Sequence, residues 1–386
     1  MTLHRKAAVT GVGETDYSKA SGLSDRALQL QAIERAIADA GIRRQDIDGV
    51  IPSPHGSGFT AEGVSEHLGL RELRFSATLH FGGANGLTAM HTAALAVASG
   101  AARHVVVVAG RNGSSGARIS QRPQLLQPNF EATREFEAPF GATVPMHFYA
   151  LMAKRHMHLY GSTSRQFGMV AVTARAHALL NDKALMRSPM SIDDHQASRA
   201  LVDPFRLFDC CIESDGAAAY IVSAADAARD TREKPAWILG VSEGHPDSAI
   251  SVVTRSDMLR TGVGLAAPRA FAMAGVKPKD LSAAMLYDPF TFMVILQLEA
   301  LGYCELGEGG PFVESGGIAL DGALPTNTHG GLLSQSHSTA GINHLCEAVK
   351  QLRGGAGEAQ LKTTGPIVVT GNGDFGDGAV AILAAD

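Results

Sequence analysis

The chain has no long apolar run: nowhere do about 18 apolar residues follow one another, so no membrane-spanning helix is expected. A charge excess of one sign is missing too. Lys and Arg number 33 against 38 Asp and Glu in 386 residues, and only 6% of residues are aromatic. A formal charge of −5 gives no polycationic footprint, which sets nucleic-acid binding aside. Cysteine is scarce and scattered, at Cys210, Cys211, Cys304 and Cys346, with neither zinc-knuckle spacing nor a disulfide framework. The opening MTLHRKAAVTGVG passes from a short basic segment into a strand-like run, without the apolar stretch of a secretory leader. A soluble, cytoplasmic protein is the expectation. What is plentiful fits it: 45% hydrophobic residues allow a large core, and 43 glycines suit many strand–helix corners.

Strand-like and helix-like segments alternate from residue 6 to 110. AAVTGV reads as a strand, Ser24 to Ala40 as a helix capped at Ser24 or Asp25 and stopped at Gly41, and DGVIPS as the next strand. Ala61 to Leu68 reads as a short helix, Arg74 to His80 as a half-buried strand, and Leu87 to Ser99 as a helix. RHVVVVAG has the continuous apolar character of a strand covered on both faces. From Arg111 to Phe205 the composition turns to Met, His, Arg and Gln, with helical stretches near 145–160 and 164–180, and reads as a helical insertion. DGAAAYIVS then returns to strand.

The second half repeats the first. AIERAIADAGIRRQDIDGVIPS (32–53) aligns with AAPRAFAMAGVKPKDLSAAMLY (266–287), matching Ala40-Gly41 to Ala274-Gly275 and Asp46 to Asp280. A fainter echo links GLTAMHTAALAVASG and VVVVAG to GINHLCEAVKQLRGG and PIVVTG. Duplication of this kind implies a pseudo-twofold α/β architecture with halves at 1–225 (insertion at about 111–205) and 226–386. It sets the turn HFGGANGL (80–87) opposite SQSHSTAGI (334–342). The first turn sits between strand and helix, where nucleophiles and anions are held, yet it contains no Ser, Cys or Thr. GVGETDYS and GNGDFGDG have neither Rossmann nor Walker spacing. His147, His156 and His158 do not form a metal set by spacing, because 156 and 158 lie on different helix faces and no carboxylate completes them.

NTHGGLLSQSH (327–337) resembles the C-terminal signature of the thiolase superfamily, with Asn327, Gly330, Gly331 and His337 at the family spacing. YDPFTF (287–292) resembles the block that carries Asn-Glu-Ala-Phe or His-Asp-Cys-Phe in that family. HMHLYGSTSRQFGMVAVTARAHALLND (156–182) is similar to its loop domain. The resemblance spans essentially the whole chain. It implies the thiolase fold: two duplicated βαβαβ halves in a five-layer αβαβα sandwich, a helical loop domain and a homodimer.

Two departures from the family matter most. The nucleophilic cysteine of thiolases falls on Gly83, and the second cysteine falls near Thr370, so neither is present. Cys346 reads as core, and Cys210 and Cys211 as packing at a strand end. An acyl-enzyme by the usual route is therefore not expected.

His337, Tyr287, Asp288 and Asn327 survive from the second half. The resemblance to steroid side-chain aldolases of the sterol-carrier-protein type makes Tyr287 the candidate proton-transfer group and His337 the oxyanion donor or its partner. Asp288 joins them as a catalytic candidate, or caps a helix starting near Phe290. Substrate contacts are expected at Asn327, Gly83, Asn85, Ser336 and Gly373, and His329 reads as a loop residue without a role. No metal and no covalently bound cofactor are implied, only the coenzyme A of the substrate.

The implied reaction is a cysteine-independent retro-aldol cleavage of a β-hydroxyacyl-CoA. Thiolase-type acyl transfer and a non-catalytic acyl-CoA-binding subunit stay open. Steroid, aromatic and branched acyl groups all suit a Met- and Phe-lined channel. A small companion with an OB-fold and zinc ribbon is the partner that the resemblance implies.

Overall fold

The structure, a computed structural model, describes residues 2–53, 59–116, 118, 133–247, 252–373 and 376–385. Part of the expected insertion (119–132) and Asp374 and Phe375 of GNGDFGDG lie outside the described residues. The strands are β1 (Ala7–Glu14), β2 (Gly49–Pro52), β3 (Phe75–Ser76), β4 (His104–Asn112), β5 (Ala200–Val202), β6 (Phe205–Arg206), β7 (Asp215–Ala224), β8 (Ala236–Gly244), β9 (Ala283–Met285), β10 (Ile367–Asn372) and β11 (Gly378–Ala384). The first helices are α1 (Asp25–Ala40), α2 (Ala61–Leu68), α3 (Asn85–Ala98), α4 (Pro145–Tyr160), α5 (Ser164–Leu179) and α6 (Ile192–Ala197). There follow α7 (Ala225–Ala228), α8 (Gly262–Ala274), α9 (Thr291–Ala300), α10 (Gly309–Glu314), α11 (Gly331–Ser334) and α12 (Ile342–Arg353).

Matching local chemistry starts and stops the duplicated elements. Ser24 caps α1 by accepting the Ala27 N–H at 3.2 Å, and Gly41 ends it in the left-handed region at φ 69°. Gly275 ends α8 at φ 70° in the same way. The Asp46 carboxylate accepts the Arg43 amide at 2.9 Å, and Asp280 accepts the Lys277 amide at 2.7 Å, each fixing a short turn before the next strand.

Nine strands form one sheet in the order β3-β2-β4-β7-β1-β8-β11-β10-β9. The halves follow one plan. In the first, β2 runs parallel to β4, which is antiparallel to β7, which is antiparallel to β1; in the second, β9, β10, β11 and β8 repeat those directions. They meet edge to edge where β1 pairs with β8 at Ala8–Trp237 and Val9–Ala236.

Side-chain alternation then builds the layers. Val105, Val107 and Ala109 of β4 face α3 and α12, while Val106 and Val108 face α1 and α2. In the second half, Ile367, Val369, Ala379 and Ala381 face α3 and α12 too, while Val368, Val380 and Ile382 face α8 and α9. Helices α3 and α12 are thus shared by both halves, which brings their N-termini to one place. The strand expected at Arg74 to His80 is shorter, confined to Phe75–Ser76, because the chain leaves the sheet there to form the turn that starts α3.

Candidate active site

Tyr287 follows β9, and its backbone is fixed from both sides. Its N–H donates to Thr370 Oγ1 at 3.0 Å, its carbonyl accepts from Gln297 Nε2 at 2.8 Å, and Thr370 donates to Gln297 Oε1 at 2.7 Å. Thr370, near which the resemblance puts the family's second cysteine, is a buried brace. Asn327 pins the preceding residue by accepting the Leu286 N–H at 2.7 Å and donating to the Leu286 carbonyl at 2.8 Å. Both ends of its amide are engaged by backbone, and its φ of 52° shapes the turn toward Gly330.

The Tyr287 side chain is 4% exposed and lies in the space beside Gly83. A Cβ built at Gly83 would overlap Cζ, Oη and Cε1 of the tyrosine, and one at Gly341 would stand 3.0 Å from Cδ2. The turns 80–87 and 334–342 therefore do meet, with the Tyr287 ring between them. Its hydroxyl lies 3.2 Å from His337 Nε2. On the other side of the imidazole, Nδ1 lies 3.0 Å from the Cys211 sulfur. His337 is fixed through its backbone: its N–H donates to Ser214 Oγ at 3.0 Å, and its carbonyl accepts from Arg111 Nη2 at 3.1 Å. Ser336, buried, links Ser214 at 2.8 Å and Ser338 at 3.1 Å in a hydroxyl chain beneath this turn.

Cys211, which from the sequence reads as packing at a strand end, is a direct neighbour of His337. It lies 126 residues from His337 in the chain, and no local pattern around CCIESDG announces the contact. Burial pushes its thiol well above the ordinary range, with the Cys210 thiol adding to the effect. Cys210 beside it is a packing residue, its thiol raised to about 12 by burial and then by the charge of Asp209.

Asp288 is fully buried and does not cap α9. Its carboxylate accepts the Leu332 and Leu333 amides at 2.8 and 3.4 Å, at the start of α11, and pairs with His344 Nε2 at 2.9 Å. The expected cap therefore exists for a different helix, the one that leads to His337. Asn85 also works within the frame: its Oδ1 accepts the Phe81 N–H at 2.7 Å, and its Nδ2 reaches Ser53 Oγ at 3.4 Å. Gly373 packs against this same turn, since a Cβ there would come within 2.7 Å of the Phe81 carbonyl, while its own carbonyl accepts from Tyr149 at 2.8 Å.

His329 lies in a turn, as expected, but is buried. It is 1% exposed, stands edge-on to His344 at 4.7 Å, and burial followed by the charge of His344 holds its pKa well below the usual value. His156 does have a carboxylate, Glu299 at 2.9 Å, in a buried pair. Among the described residues, no three His, Cys, Asp or Glu side chains group as metal ligands, and no helix is long and apolar enough to cross a membrane.

Fold and site together define a thiolase-type protein in which a tyrosine and a histidine meet beside Gly83. Comparison with known proteins agrees. Residues 244–385 match the family described as thiolase C-terminal domain-like. The chain is 38% identical to the steroid side-chain-cleaving aldolase of Thermomonospora curvata, covering 98% of each. It is 39% identical to the 17-hydroxy-3-oxo-4-pregnene-20-carboxyl-CoA lyase of Mycobacterium tuberculosis, covering 91% of this chain and 92% of that one. Among solved structures, the Ltp2-ChsH2(DUF35) aldolase superposes with a TM-score of 0.92 at 37% identity, over 100% of this chain and 99% of that one. The chain belongs to the thiolase superfamily, in the sterol-carrier-protein-type branch that includes the steroid side-chain aldolases.

Proposed function

We propose that the protein cleaves the Cα–Cβ bond of a β-hydroxyacyl-CoA by a retro-aldol reaction, releasing a shortened acyl-CoA and a ketone or aldehyde. The observation that carries this reading is the Tyr287 ring, which fills the space a side chain at position 83 would need and places its hydroxyl against His337. A side chain at position 83 would have to displace that ring.

Cleavage needs a base for the β-hydroxyl and a stabilised enolate, and no acyl-enzyme. Tyr287 oxygen takes the hydroxyl proton, the Cβ–O bond becomes a carbonyl, and the Cα–Cβ pair moves onto Cα as the thioester enolate. The same proton then returns from Tyr287 to Cα, so atoms and charge balance. A free tyrosine has a pKa of about 10, so the phenolate needs support near neutrality. His337 supplies it. Because burial keeps the Cys211 thiol protonated, its S–H donates to Nδ1, which leaves the hydrogen on Nε2 facing the Tyr287 oxygen. Ala84 N–H is taken by the Phe81 carbonyl, which leaves the Gly82 and Gly83 amides, without a partner among the described residues, as the donors for the enolate oxygen, at about 3 kcal/mol per donor. Asp288, Asn327, Asn85, Ser336 and Gly373 act as positioning residues that hold the two turns.

The names of the two relatives and the pairing of the structural neighbour with a DUF35 protein support two further parts of this reading: a polycyclic, steroid-like acyl group and a small companion protein. A homodimer in the cytoplasm, with no cofactor beyond the substrate's coenzyme A, completes it. The test is to supply the companion and a panel of β-hydroxyacyl-CoAs and follow release of the carbonyl product. Release that is lost in Tyr287→Phe is the expected result. Absence of release, together with CoA-dependent cleavage of a β-ketoacyl-CoA, would overturn it.

A further inference from the structure

A cavity of about 390 Å³ opens between α5, the segment 186–212 and α11, and Cys211 forms part of its wall. That volume falls in the range of small-molecule pockets. Most of the lining is apolar, including Met186, Met190, Leu207, Phe208 and Leu333. Because the Cys211 sulfur also touches His337, this space adjoins the Tyr287–His337 pair.

One side chain in the wall is out of keeping with the rest. Arg175 on α5 is only 5% exposed, and burial lowers its pKa from the usual value, yet arginine keeps its charge. Its Nε donates to Ser334 Oγ at 3.2 Å and its Nη1 to the Ser188 carbonyl at 3.0 Å, while its Cζ stands 5.7 Å from the centre of the Phe208 ring. These partners are all neutral. Among the described residues no carboxylate pairs with it, and no acidic side chain lines the cavity, whose other charged group is Lys19. A buried guanidinium without a counter-charge is costly, and such groups persist where an acceptor arrives with a ligand.

We propose that this cavity receives the acyl group, and that Arg175 holds an oxygen acceptor, a ketone or carboxylate, carried by that group at a distance from the thioester. The cavity would then select bulky, ring-sized acyl groups by its apolar walls and oxygenated ones by its arginine. The assignment rests on the reading of Tyr287 and His337 as the reacting end, so its test is a binding measurement that needs no turnover.

Cyclohexylpropanoyl-CoA, its ring-ketone and ring-carboxylate derivatives and free CoA are titrated calorimetrically into the full chain. None carries a β-hydroxyl, so failure of the lyase reading leaves the result readable. At least one oxygenated thioester should bind about tenfold tighter than the unsubstituted one, the scale of a hydrogen bond to a charged group. Arg175→Met should erase that preference and leave the affinities for cyclohexylpropanoyl-CoA and free CoA unchanged. Should Arg175→Met fail to fold, Arg175→Gln, which retains donors for Ser334 and Ser188, should lose the carboxylate preference. Lack of any preference in the native chain would overturn the proposal. An equal weakening of free CoA would assign the guanidinium to the CoA phosphates instead. A parallel loss of all affinities and of thermal stability would make it a brace.

Discussion

In the proposed mechanism Cys211 contributes to the site through a hydrogen and not through its nucleophilicity. A thiol whose pKa is pushed up by burial is a poor nucleophile, since the thiolate is the reactive form. What it offers His337 is a donor at Nδ1, 3.0 Å away, and hence a fixed tautomer. The substitution that separates the two roles is serine. Cys211→Ser keeps a donor and should keep most of the activity, whereas Cys211→Ala should lower kcat by about tenfold or more, with KM little changed. The alanine variant should also alter the pH profile of kcat, because the imidazole is no longer held to one tautomer. Equal losses in both variants, or a loss confined to KM, would count against the tautomer role.

At the scale of elements, the site depends on a four-residue helix. Asp288 accepts two amides at the start of α11 and pairs with His344 on α12, tying the β9 loop to both. Asp288→Asn keeps the size but weakens acceptance from two N–H groups and breaks the pairing with His344. A loss of about 1–3 kcal/mol in urea unfolding is the expected result, with activity falling further because α11 leads to His337. Unchanged stability would mean that the turn is held by other means.

This tie also marks where the sequence stops being readable. Gly41 and Gly275, or Asp46 and Asp280, announce themselves because a cap acts on residues three or four positions away. Tyr287, His337 and Gly83, each singled out by the resemblance to a family block, lie together in the structure. From the sequence Asp288 reads as a catalytic candidate or as the cap of the next helix in the chain, whereas the amides it accepts belong to residues 44 and 45 positions on. Cys211 and Arg175 find His337 and Ser334 across 126 and 159 residues, a relation that only the packed layers create.

For the whole molecule, Asp215 at the head of β7 joins two distant segments to the sheet. Its carboxylate accepts from the amides and hydroxyls of Ser21 and Ser115 and from the Ser114 amide, so the loop bearing Lys19 is fastened to the central sheet. Burial acts to raise its pKa, but these hydrogen bonds outweigh it and hold the group at about 2. An unfolded aspartate titrates at about 3.9, so this contribution is fully present above that pH and is lost as pH falls through about 2. Thermal unfolding followed from about pH 5 down to about pH 2 should therefore show declining stability, and Ser115→Ala should start lower and decline less steeply. Parallel curves for the two proteins would remove Asp215 from the account.

The shared volume of Gly83 and Tyr287 bears on how such a protein could have arisen. A Cβ at position 83 and the phenol ring claim the same space, so any side chain there requires the Tyr287 ring to move away from it. A change from glycine at position 83 is therefore also a change in where the tyrosine stands, and the two positions are coupled through one volume.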